Sequence, residues 1–330
     1  MTFRKVAVIG GAGFIGTYLS KKFNKISISH TLFDINISSS NKNITSIDVE
    51  NLNSLDKIKG TNIIINLAAI HRDDVRPISR YDDVNVQGAV NICAAAKKHE
   101  IKKIIFISSV AIYGFAPANT AENGEPNYFN DYGRTKYLAE QVYKKWQSEN
   151  PKNRTLIIIR PTVVFGEGNR GNVFNLLEKI ASNRFVMFGK GKNKKSMAYV
   201  ENIVSFINYT LSFKPGLYIY NYIDKPDFDM NTLVMTVRKI IFNKNNVGIR
   251  LPVFLGILVG YFADLVSKIT NKKFPISIIR VKKFLNTTQF DSSVNETGFQ
   301  PPYSLNEGLT RTIKYEFLED NSDKPQFKTE

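Results

Sequence analysis

Residues 5–16 read KVAVIGGAGFIG. Val6, Ala7, Val8 and Ile9 form an unbroken apolar run, the pattern of a strand buried on both faces. Gly10, Gly13 and Gly16 follow at once, and GFIGTYLSKKF then continues with helical spacing. A strand, a glycine turn and a helix in that order allow a tight turn and a close backbone approach. A pyrophosphate can then rest on the helix N-terminus. The second strand, TLFDI, carries Asp34 at its end, 18 residues after Gly16. An acid there accepts hydrogen bonds from ribose hydroxyls and repels a 2′-phosphate, so the cofactor expected is NAD rather than NADP. Asp48 and Val49 follow the third strand and suit an adenine contact; a solvated turn acid is the plainer alternative for Asp48.

The same alternation runs outward from this start. TSIDV, NIIINLAA, KKIIFISSV and TLIIIRPTVV read as strands three to six, and NVQGAVNICAAAKKH and YGRTKYLAEQVYKKWQSE as helices between them. Apolar strands separated by helices predict an α/β, doubly wound parallel sheet of Rossmann type. The division expected is a nucleotide-binding domain over 1–166, with later segments returning to it. A smaller, mainly substrate-binding lobe follows over 167–320, and 321–330 is a polar tail expected to fray.

The chain has 330 residues, one cysteine and three histidines. Cys93, in NICAAA, cannot form an internal disulfide and is expected to be a small buried residue. The histidines show no ligand spacing, so no metal site is expected. The N-terminus lacks a signal-peptide pattern and no apolar run reaches the length of a membrane span, which points to a cytoplasmic protein. The net charge of +16 asks for a polyanionic partner. Without a nucleic-acid motif, nucleic acid is not that partner. Between Arg238 and Phe284 stand ten Lys and Arg against one acid, Asp264, and they surround the run LPVFLGILVGYF at 251–262. Such a segment, 247–284 in all, suits an in-plane helix on an anionic leaflet. A helix buried in the smaller lobe would use the same residues.

Chemistry enters with Ser109, Tyr132 and Lys136. Tyr132-Gly-Arg-Thr-Lys136 sets Tyr and Lys four residues apart on one helical face. A phenol with a pKa of about 10 is a poor base at neutral pH, and a neighbouring ammonium favours its phenolate. Ser109 ends a strand, where its hydroxyl can hold an oxygen that becomes a carbonyl.

Together GGAGFIG, NLAA (66–69), VNVQG, SSVAIYG, YGRTK and RPTVVFG (160–166) resemble the extended short-chain dehydrogenase/reductases, the NAD-dependent sugar epimerases and dehydratases. The resemblance implies Ser109, Tyr132 and Lys136 as the catalytic set. It implies Gly10, Gly13, Phe14, Ile15, Gly16, Asp34, Asp48, Val49, Ala68, Ala69 and Asn85 around the cofactor, with Tyr132 and Lys136 touching it too. Asn66 stands where many relatives have His. The family's dehydratases carry Thr-Asp-Glu where this chain has Ser109-Val110-Ala111, so water elimination lacks its acid–base pair. Asp34 argues against an NADP-dependent reductase. Epimerisation remains: proton removal from a sugar hydroxyl, oxidation at C4, rotation of the keto-sugar and re-reduction.

Lys195 and Ser196 replace the Arg-Asp that begins a diphosphate-gripping strand in sugar-nucleotide epimerases. Lys grips phosphate as a point charge without the planar fork. Arg280 matches the second diphosphate Arg, and Asn172 a substrate-loop Asn. AAIHRDDV, RPTVVFGEGNRGNVFNLL, KSMAYVENIV, YNYIDKPDFDMN and IRVKKF look like the undecaprenyl-diphosphate N-acetylglucosamine 4-epimerases of O-antigen clusters. That resemblance implies a polyprenyl-diphosphate-linked amino sugar, a place on the inner face of the cell membrane, and a role in surface polysaccharide synthesis. A soluble UDP-sugar 4-epimerase is the second reading, and a non-catalytic NAD-binding scaffold the third. The family's usual dimer forms through the Tyr–Lys helix, and a homodimer is expected here.

Overall fold

The computed structural model describes residues 5–37, 43–72, 74–258, 261–262 and 285–327. In chain order, β1 (Lys5–Ile9), α1 (Phe14–Lys25), β2 (Ser29–Asp34), β3 (Ile44–Ser46) and β4 (Ile63–Asn66) open the chain. A long helical stretch follows: α2 (Ser79–Tyr81), a π-helical turn over Asp82–Gln87, and α3 (Gly88–Lys98). Then come β5 (Lys103–Ile107), α4 (Asp131–Ser148) and β6 (Thr155–Pro161). With the later β10 (Gly216–Tyr222) they build a seven-stranded sheet in the order β10-β6-β5-β4-β1-β2-β3, with parallel pairing throughout. Strand order reverses between β1 and β4, which opens a crevice at the carboxyl ends of those two strands.

The apolar strands divide their side chains between two cores, as a period of two requires. Val6, Val8, Ile63, Ile65, Ile105, Ile107, Ile157 and Ile159 face one side with α1. Ala7, Ile9, Ile64, Ile104, Phe106, Leu156 and Ile158 face the other with α3 and α4. Cys93 is buried in this second core, and burial pushes its thiol up to about 12. Ala139, Tyr143 and Trp146 of α4 also lie there, so much of the apolar spacing in KYLAEQVYKKW is spent inside the chain.

The run TLIIIRPTVV, which reads as one strand, is split. β6 stops at Pro161, and β7 (Val163–Phe165) pairs instead with β9 (Lys194–Tyr199). Pro161 cannot donate to a ladder, and past it the chain is free to change sheets. Between them lie α5 (Asn172–Ala181) and β8 (Val186–Phe188). α6 (Val200–Thr210) packs back on α1, while β11 (Asp224–Asp229) pairs antiparallel with β9. α7 (Met230–Phe242) starts on an Asp229 cap that accepts from the Thr232 amide at 2.7 Å. β12 (Ile249–Leu251) pairs with β8. α8 (Leu305–Phe317) opens on a Ser304–Glu307 capping box. The polar tail, expected to fray, is tied at Phe327: it exchanges backbone hydrogen bonds with Gly168 and Arg170, both at 2.8 Å, and its ring meets Phe14. Among the described residues no helix is long and apolar enough to cross a membrane.

Candidate active site

Ser109 caps a short 3₁₀ turn over Val110–Tyr113, and its hydroxyl oxygen accepts from the Ala111 amide at 3.1 Å. Tyr132 lies in the first turn of α4, whose cap Asn130 accepts from the Gly133 amide at 2.9 Å. Both Ser109 and Tyr132 are half-buried, which leaves them within reach of a ligand. Lys136 is buried, and its Nζ donates to the Ile107 carbonyl at 2.5 Å. The ammonium also sits 4.5 Å from the centre of the Phe106 ring. Burial lowers its pKa to about 7, against the opposing pull of the Glu140 carboxylate. Lys136 thus meets Ile107 before Ser109, and after it the Ala111 carbonyl oxygen would stand 2.5 Å from a Cβ on Gly133, so the start of α4 closes on both flanks of Ser109.

The crevice beside them has the shape a dinucleotide needs. Gly10 has a φ of +81°, and a Cβ there would stand 2.7 Å from the Ala68 amide nitrogen. A Cβ on Gly16 would stand 2.7 Å from the Gly10 carbonyl oxygen, so α1 can close on the turn. Gly13 caps α1 without a side-chain acceptor, and no acid lies in the first turn. The helix thus presents its amides and positive end to the crevice. Phe14 and Ile15 sit in this turn; the Phe14 ring is committed to the core, which leaves its backbone as the contact. Asp34 Oδ2 accepts from the Ala12 amide at 3.0 Å, which sets the carboxylate directly over the glycine turn. These residues fit NAD.

Residues 6–221 match the NAD dependent epimerase/dehydratase family. The chain belongs to that family. It is 47% identical to the N-acetyl-alpha-D-glucosaminyl-diphospho-ditrans,octacis-undecaprenol 4-epimerase of Escherichia coli O157:H7, across 98% of this chain and 99% of that protein. Its fold superposes on the UDP-glucose 4-epimerase of Thermotoga maritima, solved with UDP-glucose, at a TM-score of 0.74 and 21% identity, covering 96% and 100% of the two chains. The UDP-glucuronic acid 4-epimerase of Bacillus cereus, solved with NAD, gives 0.70 at 20% identity, covering 94% and 96%.

Within this family member the remaining expected residues fall into three groups. Asn85, in the π-helical turn, is buried and holds the 68–70 segment: its Oδ1 accepts from the Ile70 amide at 2.8 Å, and its Nδ2 donates to the Ile70 carbonyl at 3.0 Å and to Thr135 Oγ1 at 2.9 Å. It ties Ala68 and Ala69 to the Tyr–Lys helix. Asn66 does similar work, accepting from the Ala68 amide at 3.0 Å and donating to Tyr143 at 2.9 Å. Asp48 Oδ1 accepts from the Glu50 amide at 2.9 Å, and Val49 is buried against Gly88. In the second half, Lys195 Nζ donates to the Asn286 carbonyl at 2.6 Å and to Thr288 Oγ1 at 3.0 Å, and burial lowers its pKa to about 8. Asn172 is exposed at the first position of α5. Arg280 lies outside the described residues.

A buried polar network behind the site escaped sequence reasoning. Glu140, one turn beyond Lys136, accepts from Arg160 Nε at 2.8 Å and Nη2 at 2.6 Å, with both side chains buried. The Ser108 hydroxyl donates to Glu140 Oε1 at 2.6 Å. Arg160 Nη1 reaches the Tyr113 hydroxyl at 2.6 Å, which donates to Asn221 Oδ1 at 2.9 Å. The carboxyl ends of β5, β6 and β10 are thus locked to α4. A Glu four residues after the Lys, and an Arg inside an apolar strand, were the only available signals.

Proposed function

We propose that the chain is an NAD-dependent 4-epimerase of a polyprenyl-diphosphate-linked amino sugar, interconverting GlcNAc-diphospho-undecaprenol and GalNAc-diphospho-undecaprenol. The observation that carries the reading is the 47% identity, over nearly the whole chain, to an E. coli enzyme named for that reaction. The Ser109–Tyr132–Lys136 arrangement supports it. Bound NAD supplies the acceptor, and then the donor, of one hydride at C4. Tyr132, as phenolate, takes the O4 proton and later returns it. Lys136 favours that phenolate by its charge. The Ser109 hydroxyl donates to the oxygen while it is a carbonyl. Gly10, Gly13, Gly16 and the first turn of α1 hold the pyrophosphate; Asp34 holds the adenosine ribose. Lys195, Asn172 and Arg280 are assigned to the substrate diphosphate and its loop.

The reading includes a substrate lobe built mainly from 167–320. It places the enzyme at the inner face of the cell membrane, on an anionic surface, as a homodimer paired through α4, the helix carrying Tyr132 and Lys136.

The test offers purified protein GlcNAc-diphospho-undecaprenol in detergent and, separately, UDP-GlcNAc in buffer. The products are resolved as GlcNAc or GalNAc after acid release. Conversion of the lipid-linked sugar is expected. Conversion of the UDP-sugar alone would replace the lipid-linked reading with a soluble sugar-nucleotide epimerase.

A further inference from the structure

The apolar run at 251–262 has two sides. Residues 253–258 are helical, as are 261–262. One side is seated on the protein. Gly256 is buried, and a Cβ there would stand 2.8 Å from the Phe188 ring on β8. Val253 lies over Gly189, whose own Cβ would meet Val253 Cγ2 at 2.7 Å. The other side carries Phe254, Leu258, Tyr261 and Phe262, which are 58–68% exposed. In the sequence they stand at i, i+4, i+7 and i+8, the period of an amphipathic helix. Single exposed apolar residues are ordinary, but four large ones within nine residues are not.

The basic loop beside this face is held in shape. Arg250 donates to the Gly189 carbonyl at 2.7 Å and to Asn231 Oδ1 at 2.8 Å. Asn231 Nδ2 in turn donates to the Lys190 carbonyl at 3.0 Å. The result is an open cleft of about 640 Å³ lined by Gly189, Lys190, Lys192, Arg250, Leu251 and Pro252. Three of these six carry positive charge and none is acidic. The cleft runs directly into the helix at 253. None of its residues belongs to the catalytic or cofactor set.

We propose that this face is a bilayer docking site. Phe254, Leu258, Tyr261 and Phe262 enter the headgroup–acyl boundary, and Lys190, Lys192 and Arg250 hold the phosphates of anionic lipids beside them. The sign of the charge and its position at the foot of an outward apolar stripe select an anionic membrane over a neutral partner. Tyr261 suits that depth, with an apolar ring and a polar tip. The inference rests on the membrane-surface reading above and gives it named residues.

The test is flotation of the full chain with vesicles of phosphatidylcholine, with or without roughly one part in four of phosphatidylglycerol. Wild type is expected to float with the anionic vesicles only. Phe254→Ser/Leu258→Ser is expected to weaken binding on the order of a hundredfold. Lys190→Gln/Lys192→Gln is expected to weaken it about tenfold and to flatten its dependence on phosphatidylglycerol. Thermal unfolding of each variant, expected to match wild type, shows that the fold is intact. Wild type that fails to float, or floats equally well after both double substitutions, overturns the proposal. So does a concentration-dependent dimer abolished by Phe254→Ser/Leu258→Ser in a protein that ignores vesicles, which would assign the face to a second copy. Wild-type turnover of the lipid-linked sugar in detergent, measured alongside, separates the two claims: turnover without flotation ends the docking site alone, and flotation without turnover ends the substrate reading alone.

Discussion

A Cβ on Gly133 would stand 2.5 Å from the carbonyl oxygen of Ala111. Two residues on the other side of Ser109, Ile107 accepts from Lys136 at 2.5 Å. The helix bearing Tyr132 and the turn bearing Ser109 are thus pressed together at two points. Gly133→Ala must push them apart, because a backbone oxygen has nowhere to yield. Misplacement near 1 Å costs reactions of this kind about a hundredfold. A loss of that order in kcat is expected, with NAD binding kept within a few-fold in a fluorescence titration. Wild-type kcat in Gly133→Ala would show that this approach does not set the geometry.

Glu140 and Arg160 form a buried ion pair, and breaking such a pair from one side costs about 3–5 kcal/mol. Glu140→Gln should lower the unfolding midpoint accordingly. It should also act on Lys136, whose ammonium the Glu140 carboxylate favours. Without that carboxylate the Lys136 pKa falls, so the alkaline limb of the kcat profile moves to lower pH. The double variant Glu140→Leu/Arg160→Met should regain most of the stability and keep the shifted limb. A profile that stays put while stability falls would confine Glu140 to a structural role.

Lys136 itself sets a pH dependence of stability. Its pKa is about 7 in the fold and 10.5 ordinarily. Between those values the unfolded chain holds a proton that the folded chain does not, so stability rises with pH across this window. At or below pH 7 the whole cost of burying the ammonium is present, with an upper bound of about 5 kcal/mol. Lys136→Met removes that cost and strands the Ile107 carbonyl, at about 1–3 kcal/mol. The protein without added cofactor should therefore be more stable as Lys136→Met near pH 6, by about 1–3 kcal/mol, while inactive. Denaturant melts should show the advantage shrinking as pH approaches 10.

Asp34 separates two effects in one position. Asp34→Asn keeps one oxygen for the Ala12 amide, now held at 3.0 Å, gives up the bond its other oxygen accepts from the Asn36 amide at 2.9 Å, and removes the charge. The glycine turn should hold its shape while repulsion of a 2′-phosphate disappears. Titration with both cofactors should show NADP gaining at least about tenfold relative to NAD. Unchanged discrimination would move the source of specificity elsewhere in the crevice.

Much of this protein was legible from one-dimensional pattern. Val6–Ile9, the three glycines and Asp34 announce the sheet and its crevice because strand burial, turn geometry and helix polarity are local properties. Tyr132 and Lys136 were readable because helical spacing alone puts them on one face. The split of 155–165 was not: whether the chain past Pro161 stays in its sheet depends on β9, more than thirty residues away. Nor were the partners of Asn85: only the fold shows its amide bonded to Ile70 and Thr135.

The sequence by itself determined the fold class, the glycine turn after the first strand and the placing of Tyr132 and Lys136 on one helical face, since each follows from residue type and short spacing. Tertiary structure decided how the turn bearing Ser109 meets the helix bearing Tyr132, at Gly133 against Ala111 and at Lys136 against Ile107. It also decided which side of the helix at 253–258 is exposed, because Gly256 seats that helix on Phe188. Contacts between segments distant in the chain leave no periodicity to read, and only packing reveals them.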